Sequence, residues 1–141
     1  MSQYKLQDIS NAMRKIDICM MATNDGYGGL ESRPMSNNKD VDYDGDSWFF
    51  ALEDASAVRH LKQNPKICLS YEGKDNLYIS ISGEAYTTQK KEELKAHWVP
   101  DLDQWFEDGL DTEGLTLIHV NGEHIHYWQD REDGEIKLKS I

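Results

Sequence analysis

The chain has 141 residues, with 26 acidic side chains against 15 Lys and Arg and a formal net charge of -11. That length fits one domain, residues 1–141, able to bury a core without disulfides or a structural metal. The 38 % of apolar residues, with 4 Trp, 7 Tyr and 3 Phe, exclude a disordered chain. So acidic a balance also excludes nucleic acid and an anionic membrane as partners, because phosphate surfaces need a positive footprint. A small anion still fits where a few cations converge.

No apolar run approaches the ~20 residues that span a bilayer, and the first residues, Met-Ser-Gln-Tyr-Lys-Leu-Gln-Asp, hold no apolar signal core. Cys19 and Cys68 lie far apart in apolar stretches without a CxxC pairing. They read as two reduced core thiols of a cytoplasmic protein.

In chain order, Leu6, Ile9, Met13 and Ile16 mark one face of a short amphipathic helix. Ile18 to Thr23 reads as a buried strand, broken by the turn chemistry of Asn24-Asp25-Gly26-Tyr27-Gly28-Gly29. A strand from about Leu30 to Val41 follows, and Asp44-Gly45 before Ser47 to Leu52 predicts a hairpin. Asp54 is placed to cap a helix over Ala55–Gln63, stopped by Asn64-Pro65. Lys66 to Glu72 alternates, with Ile67, Leu69 and Tyr71 on one side. Leu77 to Gly83 has the cleanest period of two, with Leu77, Ile79 and Ile81 opposed to Tyr78, Ser80 and Ser82. Helical signals return over Lys90–Trp98 and around Leu102–Phe106. Leu115–Val120 and His124–Gln129 predict a strand pair about Asn121-Gly122, with a further strand over Glu135–Leu138. The sum is about six or seven strands joined mostly by short turns, a mainly antiparallel sheet with short helices that can close into a barrel.

Two patterns imitate metal sites. Asp40-Val41-Asp42-Tyr43-Asp44-Gly45 matches the first half of a calcium loop, but Ala51 stands at the twelfth position, where a bidentate Glu is required. It reads as a solvated acidic tip. His124 and His126 share a strand face with His119 nearby, yet Trp128 continues that face, so surface histidines are expected rather than a zinc or iron centre. There is no GxSxG, no phosphate-binding Walker loop and no GxGxxG after a strand, which removes the common hydrolase and NTPase readings.

Three stretches then carry a resemblance: Arg33-Pro34-Met35-Ser36; Trp48-Phe49-Phe50-Ala51 with the following helix and Asn64-Pro65-Lys66-Ile67-Cys68-Leu69-Ser70-Tyr71; and Asn76-Leu77-Tyr78-Ile79-Ser80-Ile81-Ser82-Gly83-Glu84-Ala85. With Trp105-Phe106 and His126-Tyr127-Trp128, their order resembles the general stress protein 26 branch of the pyridoxamine 5'-phosphate oxidase-like flavoproteins. The resemblance implies an antiparallel FMN-binding split β-barrel that dimerises, with FMN in a groove between subunits. It implies that Arg33 and Ser56 hold the phosphate, a role suited to a guanidinium and to a helix N-terminus. It places the backbones of Met35, Ser36, Trp48, Phe49 and Phe50 along the isoalloxazine ring. Tyr78 falls in the strand facing the phosphate end, and Trp105 and Trp128 complete the groove.

Many relatives carry a Lys early in the helix after the aromatic strand, where this chain has Ala57. A charge-assisted contact of that kind is worth about 1.5–3 kcal/mol. The chain also ends Lys137-Leu138-Lys139-Ser140-Ile141, without the Arg-x-His segment of true pyridoxamine phosphate oxidases. Three functions follow from the resemblance: an FMN-dependent oxidoreductase fed by NADH or NADPH, a non-catalytic flavin-binding or sensing protein, and a dimeric scaffold that has lost its flavin.

Overall fold

The computed structural model describes residues 4–39 and 42–138. Among them, seven antiparallel strands form one sheet: β1 (Ile18–Asn24), β2 (Leu30–Ser36), β3 (Asp46–Leu52), β4 (Lys66–Glu72), β5 (Leu77–Thr88), β6 (Leu115–Gln129) and β7 (Glu132–Lys137). Three helices accompany it, α1 (Leu6–Met13), α2 (Ser56–Gln63) and α3 (Lys91–His97), with 3-10 turns at Pro100–Gln104 and Gly109–Asp111. The fold is therefore mainly antiparallel β with short helices, as the alternation predicted.

The strand order is β2-β1-β4-β5-β6-β3, and β7 also pairs with β6. The hairpin expected at Asn121-Gly122 is absent, because β6 runs unbroken through it. Its first half pairs with β3 and its second half with β7, while the register against β5 shifts at Ser82/Gly83. Gly83 and Gly122 stand opposite each other there. A Cβ on Gly83 would strike the Asn121 carbonyl, and one on Gly122 the Tyr43 hydroxyl. The glycines thus permit close backbone approach at a bulge rather than a chain reversal. The bulge also exchanges the faces of β6: Ile118 and Val120 point into the core before it, Ile125 and Tyr127 after it.

A second expectation fails at Asp44-Gly45. β2 pairs with β1 and β3 with β6, so these two strands form no hairpin. The connecting segment is pinned along its way: the Asn37 side chain donates to the Met13 and Ile16 carbonyls (2.7 and 2.8 Å), and the Tyr43 N–H donates to Ser10 Oγ (2.8 Å). The Gly122 N–H then donates to the Gly45 carbonyl (2.7 Å), delivering the chain to β6. β2 ends at Ser36; Asp40 and Val41 of the expected strand and calcium-like loop lie outside the described residues. Pro34 suits β2 to an edge, since proline cannot donate to a second ladder.

The start of α2 is a third difference. Ala55 is the N-cap and no side chain closes the first turn; the Asp54 carbonyl instead accepts from Arg59 Nη1 (3.1 Å). The helical signal around Leu102 yields a 3-10 turn rather than an α-helix.

The core lies on the inner face of the sheet. Met21, Leu69, Ile79, Ile81, Ile118 and Ile125 are fully buried there, covered by Ile9 and Met13 of α1 and by Val58 and Leu61 of α2. Each such side chain contributes roughly 1.5–3 kcal/mol of burial. A second cluster forms on the opposite face, where α3 and the 3-10 turn after it cover Phe50, Leu115 and Leu117. The cysteines separate between the faces. Cys19 is in the core, where burial pushes its thiol up to about 11. Cys68 is not a core thiol: its neighbours Ile67 and Leu69 point inward, so it points outward, half-buried, with Sγ 3.3 Å from Ser80 Oγ.

Candidate functional site

β2 and β3 are the two ends of the strand path, and they face one another across a cleft without pairing. β2 supplies Pro34, Met35 and Ser36, β3 supplies Phe49 and Phe50, and the segment after α3 supplies Leu102, Trp105 and Phe106. Ile18 of β1 completes the lining, and the cleft holds about 370 Å³. Apart from the Ser36 hydroxyl, the side chains that line it are apolar or aromatic. Such a volume and lining suit a flat aromatic ligand. A larger open groove of about 640 Å³ lies between α1 and the β4–β5 turn, but charged groups such as Asp8, Lys15, Asp17 and Lys74 line it, with Tyr4 as the aromatic side chain among them.

Arg33 stands two residues before Met35, about 7 Å along the same strand and on the same side. Its guanidinium is sheltered and engaged through both terminal nitrogens. Nη1 donates to the Met21 carbonyl (3.2 Å) and Thr23 Oγ1 (2.8 Å); Nη2 donates to Glu31 Oε1 (3.1 Å) and Ser56 Oγ (3.4 Å). Ser56, the first residue of α2, donates to the same Glu31 oxygen at 2.7 Å. The Ser56 hydroxyl, then the Arg33 guanidinium, hold the Glu31 carboxyl below its usual range. His60 joins from α2, with Nδ1 2.8 Å from Thr23 Oγ1. Ala57 is buried in the core and supplies no cation, while Arg59 is turned to its own helix cap.

The expected site residues thus fall into groups. Met35, Ser36, Phe49, Phe50 and Trp105 line the cleft, and Arg33 and Ser56 share a polar corner beside it. Trp48 lies outside the cleft lining. Its indole is sandwiched between the imidazoles of His97 (3.5 Å between ring centres) and His119 (4.0 Å). Tyr78 and Trp128 are opposite one another on β5 and β6, half-exposed on the outer sheet face, and Trp128 stacks on His126. Sequence reading missed Glu31, Thr23 and His60. Glu31 was the most accessible of them, since a residue two positions from Arg33 on a strand shares its face.

The residues of the metal-like patterns make hydrogen bonds and ion pairs. Asp42 accepts from Arg14 (3.2 Å), and Asp44 accepts the Asp46 N–H (3.0 Å). His126 pairs with Asp133 (2.8 Å), and Glu135 reaches both His124 (3.5 Å) and His126 (3.8 Å), both acids coming from β7. Among the described residues, no three His, Cys, Asp or Glu side chains converge as metal ligands do, and no helix is long and apolar enough to cross a membrane.

The family model described as pyridoxamine 5'-phosphate oxidase like matches residues 4–140. The chain belongs to that family. The oxidase-like fold recurs in a Clostridium acetobutylicum protein related to general stress protein 26 of B. subtilis, with a TM-score of 0.83, 19 % identity, and coverage of 94 % of this chain and 93 % of that one. The general stress FMN/FAD binding protein of Xanthomonas citri superposes with a TM-score of 0.75 at 23 % identity, covering 96 % of each chain. A heme binding protein from Mycobacterium smegmatis shares the fold with a TM-score of 0.75 at 9 % identity, over 98 % of this chain and 60 % of that one. At such identities these likenesses speak for the oxidase-like fold alone. No curated protein sequence matches significantly.

Proposed function

We propose that this oxidase-like chain is a flavin-binding protein of the general stress type, a single cytoplasmic domain that holds FMN in a split β-barrel and acts as a homodimer. The cleft between β2 and β3, which do not pair with each other, carries the reading. It is bounded by Met35, Ser36, Phe49, Phe50 and Trp105, and it is large and apolar enough to take an aromatic ring system. The Xanthomonas protein of the same fold, named for FMN/FAD binding, supports a flavin as the ligand.

In this reading the cleft residues hold the ring, and the Trp48–Phe50 backbone runs along it. Arg33 and Ser56 are the donors nearest for a terminal phosphate, so the residues present fit the ring fully and the phosphate only where Glu31 yields. Tyr78 and Trp128 stand away from the cleft of their own chain, which suits a contribution from the partner subunit. The outer sheet face supports that pairing: Ile18, Met20, Tyr78 and Trp128 are each 40–48 % exposed on it. FMN, when bound, supplies electron-transfer chemistry with NADH or NADPH as donor. The protein's own residues bind and orient it and keep water from its apolar side.

A visible spectrum of freshly purified protein, followed by titration of the apo-protein with FMN, tests the reading. A flavin band or saturable quenching, weakened by Phe50→Ala, is expected; no band and no saturation would refute it. A second reading, a carrier or sensor without turnover, is favoured by the lining itself, where Ser36 is the single hydroxyl among apolar side chains. Anaerobic mixing of the loaded protein with NADH and NADPH separates the two, because only the oxidoreductase loses its flavin colour.

A further inference from the structure

The corner beside the cleft already contains an anion. One oxygen of Glu31 receives the Arg33 Nη2–H at 3.1 Å and the Ser56 hydroxyl at 2.7 Å, the contacts an oxygen of a bound phosphate would make there. The two partners differ in freedom. The Arg33 side chain is 16 % exposed and fixed by Met21 and Thr23, whereas the Glu31 side chain is 54 % exposed on an edge strand. The cation is thus built in, and the carboxylate on it is movable.

We infer that Glu31 is an internal anion that occupies the phosphate seat of this site and thereby sets the choice between phosphorylated and unphosphorylated flavins. The inference rests on the flavin reading above. A phosphate entering the corner exchanges one ion pair of Arg33 for another, so its gain is the difference between two charge-assisted contacts rather than the whole of one. Neither of the nearest α2 positions offsets that exchange: Ala57 is buried and uncharged, and Arg59 is held at Asp54. His60 reaches the corner through Thr23 and lies within electrostatic reach of the Glu31 carboxylate and of the Asp25 carboxylate of the β1–β2 turn. The excess of 26 acids over 15 Lys and Arg adds no favourable background for an anion. A flavin without a phosphate leaves the Glu31–Arg33–Ser56 contacts intact and needs no exchange.

The test compares FMN with riboflavin, which carries the same ring and ribityl chain, by fluorescence quenching in the full chain and in Glu31→Ala and Glu31→Gln. Thermal melts with and without inorganic phosphate run in parallel. Wild type is expected to bind the two flavins within about threefold of each other, and Glu31→Ala to tighten FMN by roughly tenfold or more, the value of an unopposed charge-assisted contact. Riboflavin should stay within about twofold. Glu31→Gln should move FMN in the same direction, and inorganic phosphate should raise the Tm of Glu31→Ala but not of wild type.

Flavin binding whose FMN-to-riboflavin ratio is the same in all three proteins overturns the role of Glu31 and leaves the flavin reading standing. Phosphate stabilising Glu31→Ala while no flavin saturates any protein supports the internal anion and removes the flavin. Failure of both readouts overturns both. Glu31 is exposed at a sheet edge, so its variants keep the fold, and far-UV circular dichroism checks this.

Discussion

The outer face of the sheet is treated in two different ways along its width. At the β3–β6 end, α3 and the following 3-10 turn cover it, burying Phe50, Leu115 and Leu117 beneath Trp98, Leu102 and Phe106. At the β1–β4–β5 end none of the described residues covers it, and Ile18, Met20, Tyr78 and Trp128 remain half-exposed among Ser70, Ser80 and Cys68. The same antiparallel strands thus make a second core on one side and an open apolar surface on the other. The cleft lies at the junction, with Ile18 from the bare half and Leu102, Trp105 and Phe106 from the covered half. Stability is invested where the face is covered. In the proposed reading, recognition falls to the part left open and to the seam.

The sharpest way to break this contrast is truncation on each half. Leu117→Ala, at a fully buried position, should cost about 2–5 kcal/mol in urea unfolding, while Ile18→Ala on the bare half should cost under about 1 kcal/mol in the monomer. Equal losses would mean that the two halves are not distinct. Met20→Glu sets a charge on the bare half; sedimentation should then show monomer where the wild type sediments as dimer, with the far-UV spectrum unchanged. A wild type already monomeric at micromolar concentration would leave the bare half without a self-association role.

Thiol chemistry reads the inner and outer faces on one protein. In the monomeric Met20→Glu variant, Cys68, half-buried on the outer face, should react with Ellman's reagent in the native state, and Cys19 only on unfolding, because burial both shields its thiol and raises it to about 11. Two thiols reacting at one rate would contradict the assignment of faces.

The smallest effect concerns His97 over Trp48. Burial against the covered half holds its pKa below the ordinary 6.5, so between the folded and unfolded values the unfolded chain binds the proton more readily. Stability should therefore be fully present above about pH 6.5 and fall as pH is lowered through the folded value. An NMR titration should place His97 below 6.5, and His97→Gln should flatten that part of the stability profile.

Much of this was legible from local pattern. The alternation of Leu77, Ile79 and Ile81 against Tyr78, Ser80 and Ser82 gave β5 and its inner face, and Ile67, Leu69 and Tyr71 did the same for β4. Of the expected cleft residues, Met35, Ser36, Phe49, Phe50 and Trp105 do meet at one surface. The failures share a cause. Asp44-Gly45 and Asn121-Gly122 have hairpin composition, yet one lies in a crossover and the other in a bulge, because glycine serves any tight backbone approach and not only a reversal.

By itself, the amino-acid sequence determined the strand periods, the antiparallel β class, the acidic surface and the aromatic and cationic residues available for a site. These properties are local or additive, and a chain states them directly. The tertiary structure alone decided that β2 and β3 end the sheet facing each other, that one half of the outer face is covered, and that Glu31 closes on Arg33 and Ser56. Glu31 and Ser56 are 25 positions apart, and their contact depends on how β2 and α2 pack, which no period in the sequence encodes.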